Sequence, residues 1–133
     1  MYLANLSSEQ KELFLDLSIL SMESKGEVDK REKMLLEQYC GEMKIRCRFE
    51  KNIESYESVL KRLKEISTNQ ELKKITVEIL ALIYVDEEFA EEEHEVLMSL
   101  QKIFEFSSHL LDEIIFTTRH LLLSYKMMEN VVK

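Results

Sequence analysis

Residues 25–32, KGEVDKRE, separate two amphipathic stretches, and 61 residues further on DEEFAEEE, residues 86–93, separates two more. Ahead of the first link Leu13, Leu17 and Leu20 recur at helical intervals. Behind it Leu36, Tyr39 and Met43 share a stripe. Sliding the chain by 61 residues sets Ile19 on Leu80, Met22 on Ile83, Val28 on Phe89, Glu32 on Glu93, Leu35 on Val96, Leu36 on Leu97 and Tyr39 on Leu100. Core-type residues fall on core-type residues, so the repeating unit is a helix, a short link and a second helix that opens with acidic side chains. In each link one hydrophobe, Val28 or Phe89, is placed to plug the gap between the two helices.

Working outward, Ser7 and Gln10 have capping-box spacing and open a first helix over roughly 8–24. Asp29 and Glu32 have the same spacing and open a second, about 30–41, with Gly41 weakening or ending it. Ile53, Tyr56, Leu60 and Leu63 form the apolar side of a third helix that stops near Ser67. Asn69 is the expected cap of a fourth, running to Asp86. A fifth helix takes over at about Ala90, and Ser107 or Ser108 starts a long final one over 108–131. The expectation is an all-α bundle of about six helices in one domain, with hairpin pseudo-repeats at about 8–43 and 69–106. The final helix has apolar residues on more than one side, which places it either at the centre of the bundle or in a homodimer contact.

Composition agrees with this class. Of 133 residues 45% are apolar and 33% charged, with no proline and two glycines, as suits a compact helical chain. A formal charge of −8 opposes a phosphate backbone and argues against nucleic acid as a partner. The first residues, MYLANLSSEQK, lack the pattern of a signal peptide, so a cytoplasmic location is expected. Asp112, Glu113, Arg119 and Lys126 interrupt the most apolar segment, which argues against direct membrane insertion. Cys40 and Cys47 have no second pair to complete a zinc site and no CxxC spacing, and are read as reduced thiols.

The segment LSILSMESKGEVDKREKMLLEQY resembles the signature of the TerB-like tellurite-resistance domains, which also occur at the N-terminus of the co-chaperone DjlA. That signature is an apolar helix, an Asp-Gly-acidic-hydrophobe-Asp link, and a Glu opening the next helix. The first link supplies Gly26, Glu27, Val28, Asp29 and Glu32, with Lys25 in place of the leading Asp. The second supplies Asp86, Glu88, Phe89 and Glu93, with Glu87 in place of the Gly and Ala90 in place of the second Asp. The resemblance implies an internally duplicated helical fold and a cytosolic binding or regulatory module of a stress or defence response, with no catalytic activity carried over. It also implies two kinds of ligand, a protein partner or a divalent metal.

DEEFAEEEHE holds seven carboxylates in ten residues, a set that suits a hard cation such as Ca²⁺ or Mg²⁺. The ligands would be Asp86 and Glu93 from the second link and Asp29 and Glu32 from the first. The alternative for the same residues is helix-start acidity, because negative charge in the first turn interacts well with the helix dipole. An EF-hand counted from Asp86 lacks Gly at Glu91 and an acid at Leu97, and His94-Glu95 does not close as HExxH because Met98 occupies the last position. Without a phosphate loop or a nucleophile elbow, the expected function is non-catalytic, with protein–protein interaction first and divalent-metal binding second. Lys44, Arg46, Arg48, Lys51, Lys61, Arg62 and Lys64 make the middle of the chain basic, a belt able to face the acidic second link or to remain plain surface charge.

Overall fold

The computed structural model describes residues 1–23, 30–51, 55–85 and 91–133, and the side chains of all of these except 91–93. A short 3₁₀ turn, Leu3–Asn5, precedes six α-helices: α1 Ser8–Glu23, α2 Lys30–Met43, α3 Tyr56–Ile66, α4 Asn69–Tyr84, α5 Glu91–Phe104 and α6 Ser108–Val132. No strand occurs among the described residues, and none of their helices is long and apolar enough to cross a membrane.

The 61-residue displacement holds at the level of backbone detail. Both ends of α1 map onto both ends of α4, and those of α2 onto those of α5. Ser7 and Gln10 bond reciprocally at the start of α1, backbone N–H to side-chain oxygen in each direction (2.8 and 3.1 Å), and Thr68 and Glu71 repeat the box at α4 with the same two distances. The expected cap, Asn69, is instead the first helical residue: Thr68 has the extended conformation that a cap requires, and its hydroxyl accepts from the Glu71 amide.

The ends of α2 and α5 match as well. Lys44 and Glu105 take positive φ, 57° and 60°. After each, the next amide donates back into the last turn, Ile45 N–H to the Cys40 carbonyl and Phe106 N–H to the Gln101 carbonyl, both at 3.1 Å. This is the Schellman turn, here with long side chains where glycine is usual. Gly41 does not end α2, which runs on to Met43. Ile53, Val28 and Phe89 lie outside the described residues.

The centre of the bundle is α1, not α6. Every residue from Leu13 to Met22 is buried, including three polar ones. Ser18 and Ser21 donate their hydroxyls to the Phe14 and Leu17 carbonyls of the same helix (2.8 Å each), and buried Asp16 takes Arg48 at 2.7 Å. With these groups satisfied, a helix that carries polar residues all along its length can be enclosed on all sides. α1 packs on α2, α3 and α4, α3 also packs on α5, and α6 packs on α4.

Part of the basic belt is paired within the chain, while the side chains of the acidic second link lie outside the described residues. Arg48 reaches Glu12 and Asp16, Lys51 pairs with Glu23, Arg62 with Glu9, and Lys64 with Glu105 at 3.6 Å. Its partners among the described residues are mainly the acids of α1, and they fasten the connection 44–51 and helix α3 to the central helix.

Candidate docking groove

An open groove of about 1440 Å³ runs between α2, α4 and α6. Met34, Leu35 and Gln38 of α2 form one wall, Val77, Ala81 and Tyr84 of α4 the floor, and Ile115, Arg119, Leu122 and Lys126 of α6 the other wall. Its position follows from the duplication. The third helix of the first half, α3, packs against both α1 and α5. The third helix of the second half, α6, packs on α4, the counterpart of α1, but makes no comparable packing with α2, the counterpart of α5. The groove is the unclosed equivalent of the α3–α5 interface.

Only the first part of α6 is docked. Leu111, Ile114 and Thr118 are its buried residues, and Arg119 lies over the ring of Tyr84, the last residue of α4, at 5.3 Å. Beyond that point the same stripe continues through Leu121, Tyr125, Met128 and Val132 at alternating spacings of four and three residues. Tyr125 and Met128 are more than half exposed and Val132 is 81% exposed. Phe116, Leu123, Met127 and Val131 add further exposed apolar surface. Thr118, which lines the groove, is buried, and its hydroxyl has no hydrogen-bonding partner among the described residues. His109 and His120 are both exposed, and the His120 ring lies 4.9 Å from that of Phe116.

One end of the groove is charged. The Met1 ammonium contacts Glu42 at 2.6 Å and buried Glu78 at 3.2 Å, the Leu3 amide donates to Glu42 at 2.8 Å, and the Tyr39 hydroxyl donates to the Glu78 carbonyl at 2.7 Å. Burial works to raise the Glu42 carboxyl, but the ammonium and the Leu3 and Ala4 amides outweigh it and hold that carboxyl below its usual range. Burial first, and then the Glu78 carboxylate, push the Tyr39 phenol far up, so it stays a neutral donor. Both cysteines are free thiols. The turn after α2 brings Cys47 back beside Cys40, and burial together with the Cys47 side chain pushes the Cys40 thiol up to about 12.

Of the four sequence-derived metal ligands, one has a described side chain. Asp29 and Asp86 lie outside the described residues, as does the side chain of Glu93, which belongs to the first turn of α5. Glu32 lies in the first turn of α2 and is 1% exposed. Among the described residues no group of three His, Cys, Asp or Glu side chains could hold a metal ion. The groove was not foreseen from sequence. Its signal was present in the surplus apolar residues of 119–132, but which neighbour they lack is a property of packing. No family model, no curated protein and no solved structure matches the chain.

Proposed function

We propose that this protein is a non-catalytic binding module that acts through protein–protein contact, with the α2–α4–α6 groove as its docking surface. The observation that carries the reading is the missing third-helix contact: α3 closes its side of the duplicated bundle, whereas α6 leaves the corresponding side open and apolar. A groove between helices with exposed apolar walls suits an amphipathic helix laid along it. The likeness of the two links to the TerB-like signature supports a cytoplasmic role in a bacterial stress or defence response of the tellurite-resistance kind.

A photo-crosslinking residue at Met34, on the exposed wall of α2, tests this against the same residue at exposed Lys61 on α3. A single adduct of defined mass from position 34, competed away by unlabelled protein and absent from position 61, is the expected result. Equal or no crosslinking from the two positions would sink the reading.

A further inference from the structure

We infer that Cys40 and Cys47 form a redox-sensitive pair, a dithiol that hydrogen peroxide converts to an intramolecular disulfide across the turn that ends α2. Neither residue lines the groove, so the inference is independent of the docking role proposed there.

The position of the second thiol is fixed from both sides. The carbonyl that closes the left-handed turn at Lys44 is that of Cys40 itself, which accepts from the Ile45 amide at 3.1 Å. Just beyond Cys47, Arg48 is held on α1 by Asp16 at 2.7 Å, with Glu12 at 3.8 Å from the same guanidinium. Cys47 is strung between these two anchors, and its side chain comes within hydrogen-bonding reach of Cys40.

The duplication supplies an independent check. Gln101 and Ser108 stand 61 residues on from Cys40 and Cys47. There the Gln101 carbonyl closes the equivalent turn, accepting from the Phe106 amide at 3.1 Å, and the Gln101 side-chain amide donates to the Ser108 hydroxyl, also at 3.1 Å. Contact between these two positions is thus a property of the turn. In the second half it joins polar side chains at an exposed site, and in the first it joins two thiols against the core.

The two sulfurs differ in access, which divides the chemistry between them. Cys40 is 3% exposed, whereas Cys47 is half-buried and meets a small oxidant first. The Cys47 sulfur, its proton released, attacks one oxygen of hydrogen peroxide. The O–O bond breaks, the sulfur becomes a sulfenic acid, and the departing hydroxide takes up a proton as water. The Cys40 sulfur then attacks that of Cys47, the S–O bond breaks, and the second hydroxide leaves as water with the Cys40 proton. The two thiols lose two electrons in all and the peroxide receives them. The bond closes the loop 40–47 and staples the turn to the end of α2.

The test exposes the reduced whole chain to hydrogen peroxide, alkylates the thiols that remain, and maps the product with trypsin without reduction. The expected product is a single chain lighter by two hydrogens, with residues 34–44 and 47–48 joined. Its Tm should lie several degrees above that of the reduced chain, because a staple that suits the native turn restricts only the unfolded chain. In Cys40→Ala, shown to be folded by circular dichroism, the sulfenic acid has no second thiol to meet and dimedone should capture it at Cys47. In Cys47→Ser, Cys40 should stay reduced over the same exposure. Two thiols left intact in the wild type, bridges between chains in place of the internal one, an oxidised form that melts below the reduced one, or oxidation of Cys40 in Cys47→Ser as fast as in the wild type would each overturn the inference. If Cys40→Ala does not fold, the wild-type product, its Tm and Cys47→Ser still decide it.

Discussion

α3 and α6 hold corresponding places in the two halves, yet the less apolar of the two is the better buried. α3 has 11 residues, of which Val59, Leu60 and Leu63 form a narrow stripe, all fully enclosed between α1 and α5. α6 has 25 residues and apolar side chains on several faces, but only three residues are buried. Apolar content shows that a helix seeks a partner, while burial depends on whether a neighbour lies within reach.

The largest expected contrast comes from shortening one leucine in each helix. Leu60→Ala in α3 should cost about 2–5 kcal/mol by urea unfolding, through lost transfer free energy and a cavity. Leu123→Ala, at a half-exposed site in α6, should cost under ~0.5 kcal/mol in the monomer. Equal costs would show that the second half of α6 is packed after all.

The connection that leads into α3 offers the next test. Arg48→Ala leaves Asp16, which is 2% exposed, without its guanidinium. The expected loss is roughly 2–3 kcal/mol, below the roughly 3–5 kcal/mol for breaking a fully buried pair because the Arg48 side chain is itself 21% exposed. Raising the salt concentration should not reproduce that loss, as it would for a surface pair.

Smaller effects probe the duplication itself. Ser7→Ala and Thr68→Ala remove equivalent caps and should each cost about 1 kcal/mol. Unequal losses would show that the two capping boxes differ in context in spite of their matching distances. Lys44→Gly and Glu105→Gly relieve equivalent left-handed residues and should each raise stability by about 0.5–1 kcal/mol, the steric relief exceeding the added entropy of the unfolded chain. A fall in stability at either position would show that its side chain holds the turn.

The smallest effect is a pH dependence. The Glu42 carboxyl titrates below its ordinary range in the folded state. Its contribution is therefore fully present above the unfolded value and is lost as pH falls through the folded one. Thermal melts of Glu42→Gln should converge on those of the wild type at the acid end and lie below them at neutral pH. Parallel curves across the range would exclude Glu42 as a source of acid sensitivity.

Local signals were legible and non-local ones were not. The Ser7–Gln10 box, the stripe of α3 and the start of α6 near Ser107 could be read directly, because each depends on residues three or four apart. The move of the α4 cap from Asn69 to Thr68 is a choice between adjacent good caps that only the backbone conformation settles. The ends of α2 and α5 were less visible, because Lys44 and Glu105 occupy positions where glycine would have announced the turn. Of the four proposed ligands only Glu32 can be placed with its side chain, and it is buried in the first turn of α2. That Cys47 lies beside Cys40 was not legible, because a seven-residue spacing looks remote until the chain turns back after α2.

By itself the sequence determined that the chain is helical, where its helices begin and end to within a few residues, and that its two halves repeat. These are set by hydrogen bonds and apolar periodicity over a turn or two, which neighbouring residues fix among themselves. Only the tertiary structure decided that α1 is the centre and α6 the edge. α1 can be enclosed because Arg48, remote in sequence, neutralises Asp16 and because its serines bond to their own helix. α6 stays half open because α4 ends beside Arg119 and α2 does not reach across. Both outcomes depend on how lengths, charges and volumes of several helices sum in space, and no local pattern contains that sum.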